Sequence, residues 1–139
     1  MAVLARNQRS GALALVALVA LLVSGCGGGG RLSAKALTQK STSLESLAAE
    51  GALLARHAGT GKTTRIFTRV HSGYLYEAAS KEASSLRTAK TEPALEPKLR
   101  HVTSLAGKVS VDLRRVGHAS KAEQPRLARQ LEAAAKELK

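Results

Sequence analysis

Leu95, Leu99, Val102, Ala106, Val109, Leu113 and Val116 recur at alternating steps of four and three without a break. That period follows the turn of an α-helix and puts every one of these residues on a single face; in a strand they would scatter over both sides. An apolar face of that length has to be covered, and the chain carries three more segments of the same period. In the first, Leu37, Leu44, Leu47, Gly51, Leu54 and Ala58 fall at spacings of three, four and seven. In the second, Phe67, Val70, His71, Tyr74, Leu75, Ala78 and Leu86 form one broad face. In the fourth, Leu127, Leu131, Ala134 and Leu138 do the same.

Local signals mark the ends of these segments. Ser33 is placed as an N-cap, with Leu32 and Leu37 as a hydrophobic staple, and Gly59 as a left-handed helix terminator. Gly117 stops the third segment, and Ser120 with Glu123 reads as a capping box for the fourth. The connections, around Gly59-Thr60-Gly61, Thr91-Glu92-Pro93 and Gly117-His118-Ala119, are short, which makes consecutive helices antiparallel neighbours. The expected fold class is all-α: an antiparallel up-down bundle of three to four helices, the last one shorter and free to dock loosely. With two Tyr, one Phe and no Trp, the core has to be built from Leu, Val and Ala. That composition favours close-packed helices over a sandwich. Three glycines sit inside helices, each costing about 1 kcal/mol relative to Ala. Gly51 comes level with Val70 and His71, where close backbone approach would account for it, and Gly107 is set to receive Tyr76 or Leu75. Nothing in the sequence accounts for Gly73.

The first thirty residues are of a different kind. Arg6 and Arg9 precede an uninterrupted run of Ala, Leu and Val over residues 12–23. The run fits the apolar core of an export signal and is shorter than the roughly 20 apolar residues of a membrane-spanning helix. It ends in Val23-Ser24-Gly25-Cys26, which resembles the lipobox of bacterial lipoproteins at all four positions. The resemblance implies cleavage before Cys26, a diacylglyceryl thioether on its sulfur, and an extracytoplasmic protein held to the bacterial membrane by two acyl chains. The expected organisation is a signal peptide at 1–25, a lipidated cysteine and glycine-rich tether at 26–31, and a helical domain at 32–139. In size, layout and composition that domain resembles the small uncharacterised helical lipoproteins found in actinobacteria, a resemblance that implies no activity.

Motifs of catalysis and ligand binding are weak. Gly59-Thr60-Gly61-Lys62-Thr63 looks like the end of a phosphate loop, but Arg56 stands where the first glycine belongs and no strand precedes it. It reads as an interhelical turn. His57, His71, His101 and His118 show no spacing that makes a metal motif. His71 is expected half-buried and hydrogen-bonded, and His57 and His118 near turns at one end of the bundle. No nucleophile and base pair up, so neither an enzyme, a metal nor a cofactor is expected. Charge is more informative. The chain carries a formal +12, which favours polyanions or anionic membranes as partners. In the up-down topology Arg56, Lys62, Arg65, Arg69, Arg114, Arg115, Lys121 and Arg126 gather at the end far from the tether, opposed by Asp112 and Glu123. The leading expectation is a non-enzymatic, membrane-anchored module. It binds a protein partner or anionic envelope component through Arg56, Lys62, Arg65, Arg69, Arg114 and Arg115 at a membrane-distal tip. The alternative is a structural or assembly subunit docking on a membrane protein complex, which an exposed apolar groove beside a loose fourth helix would favour. Specific nucleic-acid binding is not expected, because three aromatic residues give no stacking platform.

The lipid anchor is tested directly at Cys26. Membrane-purified protein should have lost residues 1–25 and carry the acyl mass on Cys26, and Cys26→Ser should leave it unprocessed or soluble. An intact, unmodified N-terminus by mass spectrometry would remove the lipoprotein expectation.

Overall fold

The computed structural model describes residues 31–139, so the export run, Cys26 and the glycine tether lie outside the described residues. The remainder is all-α. Its helices are α1 (Ala34–Gly59), α2 (Arg65–Thr88), α3 (Glu96–Val116) and α4 (Gln124–Glu137), with a 3₁₀ turn at Pro93–Leu95 leading into α3. Among the described residues the only β-type pairing is an isolated bridge between Leu32 and Thr91, and no helix is long and apolar enough to cross a membrane.

Side-chain pairs fix the antiparallel order. Lys40 meets Glu82 at 2.7 Å and Glu50 meets His71 at 2.7 Å, running α1 against α2. Ser41 donates to the Leu138 carbonyl at 2.6 Å, running α1 against α4. Arg114 lies over the Tyr76 ring at 5.8 Å, running α2 against α3. The closest packing is between α1 and α4 and between α2 and α3. The fourth helix is therefore an integral wall, not a loosely docked one: Leu127, Ala128, Leu131, Ala134 and Leu138 are all buried.

The third segment buries the face its period predicts, from Leu99 through Val116. The first does so with additions, since Ala48, Ala52 and Ala55 are fully buried and Leu47 only partly. The second does not. Phe67, Val70 and Tyr74 face solvent, and α2 turns Thr68, Ser72, Leu75, Ala79, Ala83 and Leu86 inward. The inward polar side chains are satisfied on their own helix: Thr68 donates to the Thr64 carbonyl at 3.0 Å and Ser72 to the Arg69 carbonyl at 3.1 Å. This removes most of the cost of burying a hydroxyl. Small side chains are also required there, because a Cβ on Gly117 would overlap the Ser72 hydroxyl and sit 3.5 Å from the Arg69 Cα.

The helix ends follow their expected chemistry, with displacements. Ser33 caps α1 by accepting from the Ala36 N–H at 3.2 Å. Leu32 packs against the core, and its own N–H donates to the Lys90 carbonyl at 2.6 Å. The left-handed terminator of α1 is Gly61, φ +73°, not Gly59, which is still helical. Lys62 N–H to His57 C=O and Gly61 N–H to Ala58 C=O complete a Schellman motif about it. Of the capping box only the reciprocal half forms. Glu123 accepts from the Ser120 N–H at 2.9 Å and from its hydroxyl at 2.8 Å, one turn before α4 begins.

Gly51 faces α3 and α4, not α2. A Cβ there would overlap Leu113 Cδ2 and lie 3.2 Å from Leu131 Cδ1. Gly107 and Gly73 have nothing within 4 Å of such a Cβ, so Gly107 receives neither Tyr76 nor Leu75. Every core residue lies between Leu37 and Leu138, so residues 31–139 carry a complete core.

This fragment should therefore melt in one cooperative helical transition when followed by circular dichroism. Within it, Gly51→Val should cost about 2 kcal/mol or more by overpacking against Leu113. Gly107→Ala should gain roughly 0.5–1 kcal/mol from helix propensity alone. Equal effects of the two changes would contradict the packing at Gly51.

Candidate functional site

The turn between α1 and α2 and the turn between α3 and α4 share the end of the bundle opposite Arg31. A 26-residue α1 at about 1.5 Å per residue sets them nearly 40 Å away along its axis. A pocket of about 330 Å³ opens between the two turns, lined by Thr63, Arg65, Thr68, Ser120, Lys121 and Gln124 over a floor that includes Val116. No carboxylate lines it. Glu123 stands beside it, tied to Ser120, and those two hydrogen bonds, the backbone one first, hold its carboxyl below the usual range. Thr63 and Thr68 hydroxyls lie 3.0 Å apart. Gln124 is buried; its amide nitrogen donates to the Val116 carbonyl at 2.8 Å, closing the end of α3, while its side-chain oxygen is buried without a partner among the described residues.

The residues expected at this end divide into two groups. Lys62, Arg65, Arg69, Lys121 and Arg126 have no acidic partner within 4.0 Å among the described residues, and Arg114 is engaged only with the Tyr76 face. The other two are less available. Arg56 pairs with Glu132 of α4 at 2.8 Å, an acid the sequence reading left out of the tip. Arg115 sits 4.0 Å from Asp112. The members that sequence reasoning missed, Thr63, Thr68, Ser120 and Gln124, carry no motif. Thr68 and Gln124 are polar residues at core positions, and that is visible only once the face of α2 and the start of α4 are known.

Chemically the arrangement offers guanidinium and ammonium donors beside hydroxyls in a cavity without acids, which suits phosphate or carboxylate oxygens. The one hydroxyl bonded to a carboxylate beside it is Ser120 on Glu123 at 2.8 Å, and that carboxyl, held below the usual range, is a weak base. His57 is half-buried beside the first turn, and His118 is exposed beside the second. His71 is half-buried as expected, hydrogen-bonded to Glu50 and stacked on Phe67 with ring centres 5.4 Å apart. Among the described residues no three His, Cys, Asp or Glu side chains gather within reach of one metal ion. No family model, curated protein or solved structure matches the chain.

Asp112, beneath this end, is buried, and one of its carboxylate oxygens has no hydrogen-bond partner among the described residues. Burial raises its pKa, against the opposing pull of Arg115, Lys108 and Arg126. The folded state thus holds this proton more tightly than the unfolded chain. Its contribution is fully present at acid pH and is lost as pH rises through the carboxylate range. Accordingly, wild type should lose stability relative to Asp112→Asn as pH rises above about 4, the ordinary carboxylate value, measured as the difference in melting temperature. A difference independent of pH would show that the carboxylate is ionised equally in both states.

Proposed function

We propose that this chain is a lipid-anchored extracytoplasmic protein of the bacterial envelope. Its helical domain binds an anionic envelope component, or a partner presenting one, and catalyses no reaction. The binding surface is the basic end of the bundle remote from Arg31, which a lipid on Cys26 would hold away from the membrane when the domain stands upright. The observation that carries this reading is the group Lys62, Arg65, Arg69 and Lys121, without acidic partners among the described residues, of which Arg65 and Lys121 line an acid-free pocket. Cations held on helix ends lose little freedom on meeting an oxyanion, and the start of α2 adds the positive end of its dipole. Arg56 is best left out of the binding set, because Glu132 already engages it. A loose fourth helix would have favoured the assembly-subunit alternative by leaving an apolar groove beside it; α4 is instead packed along its length.

A soluble polyanion should bind the 31–139 fragment and be released steeply by salt, since exposed charges are screened beyond about 8 Å at physiological ionic strength. Changing Lys62, Arg65, Arg69 and Lys121 together to Gln should lower affinity for teichoic-type polymer or polyphosphate by about tenfold or more and flatten the salt dependence. Equal binding by both proteins would leave the basic end as a solvated surface only.

A further inference from the structure

The face of α2 that the sequence pattern assigned to the core is exposed. Ile66, Phe67, Val70 and Tyr74 are 79, 52, 52 and 66% accessible along its first turns. The register set by Lys40–Glu82 and Glu50–His71 brings Leu53 of α1, itself half exposed, level with Thr68 and Arg69, one residue past Phe67. Two of the chain's three aromatic side chains lie in this one patch, while the core contains none. A contiguous apolar surface of this kind on a domain that buries Thr68 and Ser72 instead is a contact surface.

Its surroundings say what covers it. Residues 62–76 contain no Asp or Glu but include Lys62, Arg65 and Arg69, and Arg114 reaches toward the same helix from α3. The acids nearest in sequence and register are Glu50, bonded to His71, and Glu77, beyond Tyr74. A second copy presenting the same face would set these arginines against one another, which like-charge repulsion opposes. Apolar and aromatic side chains on the outer face of a helix, rimmed by cations, match the interface of an anionic bilayer. There the apolar groups enter the acyl boundary and the guanidinium groups meet lipid phosphates. Gly73 fits the same geometry. It lies on this face with open space where a side chain would be, so the backbone can approach a flat surface closely.

We propose that this face of α2 docks on an anionic lipid bilayer. Ile66, Phe67, Val70 and Tyr74 enter the acyl boundary, and Lys62, Arg65 and Arg69 engage headgroup phosphates. The inference rests on the basic-end reading for its charge, and adds an apolar contribution and the bilayer as occupant. The helix then lies along the membrane surface, and the domain rests on its side.

The test is sedimentation of the 31–139 fragment with vesicles of phosphatidylcholine alone or with equal parts of phosphatidylglycerol, in parallel with polyphosphate binding. Wild type should bind the anionic vesicles, and part of that binding should survive about 0.5 M salt, where screening reduces the headgroup contribution. Ile66→Ser, Phe67→Ser, Val70→Ser and Tyr74→Ser combined, with an unchanged helical spectrum, should weaken vesicle binding by at least about tenfold and leave polyphosphate binding as it was. Vesicle binding equal to wild type would overturn the docking face while leaving the basic end intact. Polyphosphate binding by wild type without any vesicle binding would also overturn it, pointing to a protein on this patch. Binding to neither would overturn both readings.

Discussion

Close approach of the helix backbones at α1 is the constraint on which the bundle depends. Ala48, Gly51, Ala52 and Ala55 give that helix a nearly flat inner surface, and Leu113 of α3 and Leu131 of α4 reach into the space at Gly51. With no aromatic residue inside, the core gains its density from short side chains and near backbones and not from a few large groups. A larger residue at Gly51 therefore disturbs two neighbouring helices at once. The same economy of volume recurs at the other end, where Gly117 lets α3 come against Ser72 and Arg69 of α2.

Most of this architecture is legible in the sequence because hydrophobic period and turn chemistry agree over three of the four helices. The second helix is the exception, and its reason is physical. Ranked by side-chain polarity, Phe67, Val70 and Tyr74 outbid Thr68 and Ser72 for the interior. Two things reverse that ranking: each hydroxyl finds a carbonyl on its own helix, and only small side chains fit where Gly117 closes the gap. The second is visible only with the partner helix in place. How closely the fourth helix packs is harder to read, because its alanines, Ala128, Ala134 and Ala135, look neutral in a periodicity but bury fully or nearly so.

The basic end was legible in outline, since topology alone brings the two turns together. What the sequence could not tell is which cations are already engaged. Glu132 lies 76 positions from Arg56 in the chain and neutralises it across α4. Arg69 and Lys62, close to no acid, keep their charge available. The pocket between the turns was hidden for a related reason: its hydroxyl and amide donors come from α2 and from the approach to α4, and no one segment contains enough of them to look like a motif.

The bridge at the opposite end bears on mechanics. Leu32 is held through its N–H to the Lys90 carbonyl at 2.6 Å and through its carbonyl to the Thr91 hydroxyl at 2.8 Å. A pull on Arg31 is therefore delivered not to the first turn of α1 alone but also to the connection between α2 and α3. Those two bonds act as a clamp and share the load between two hairpins. At the far end of α4 the Leu138 carbonyl is held by Ser41 on α1, so both ends of the described residues are fastened to the body. A domain built this way resists unravelling from Leu32 and from Leu138 under tension.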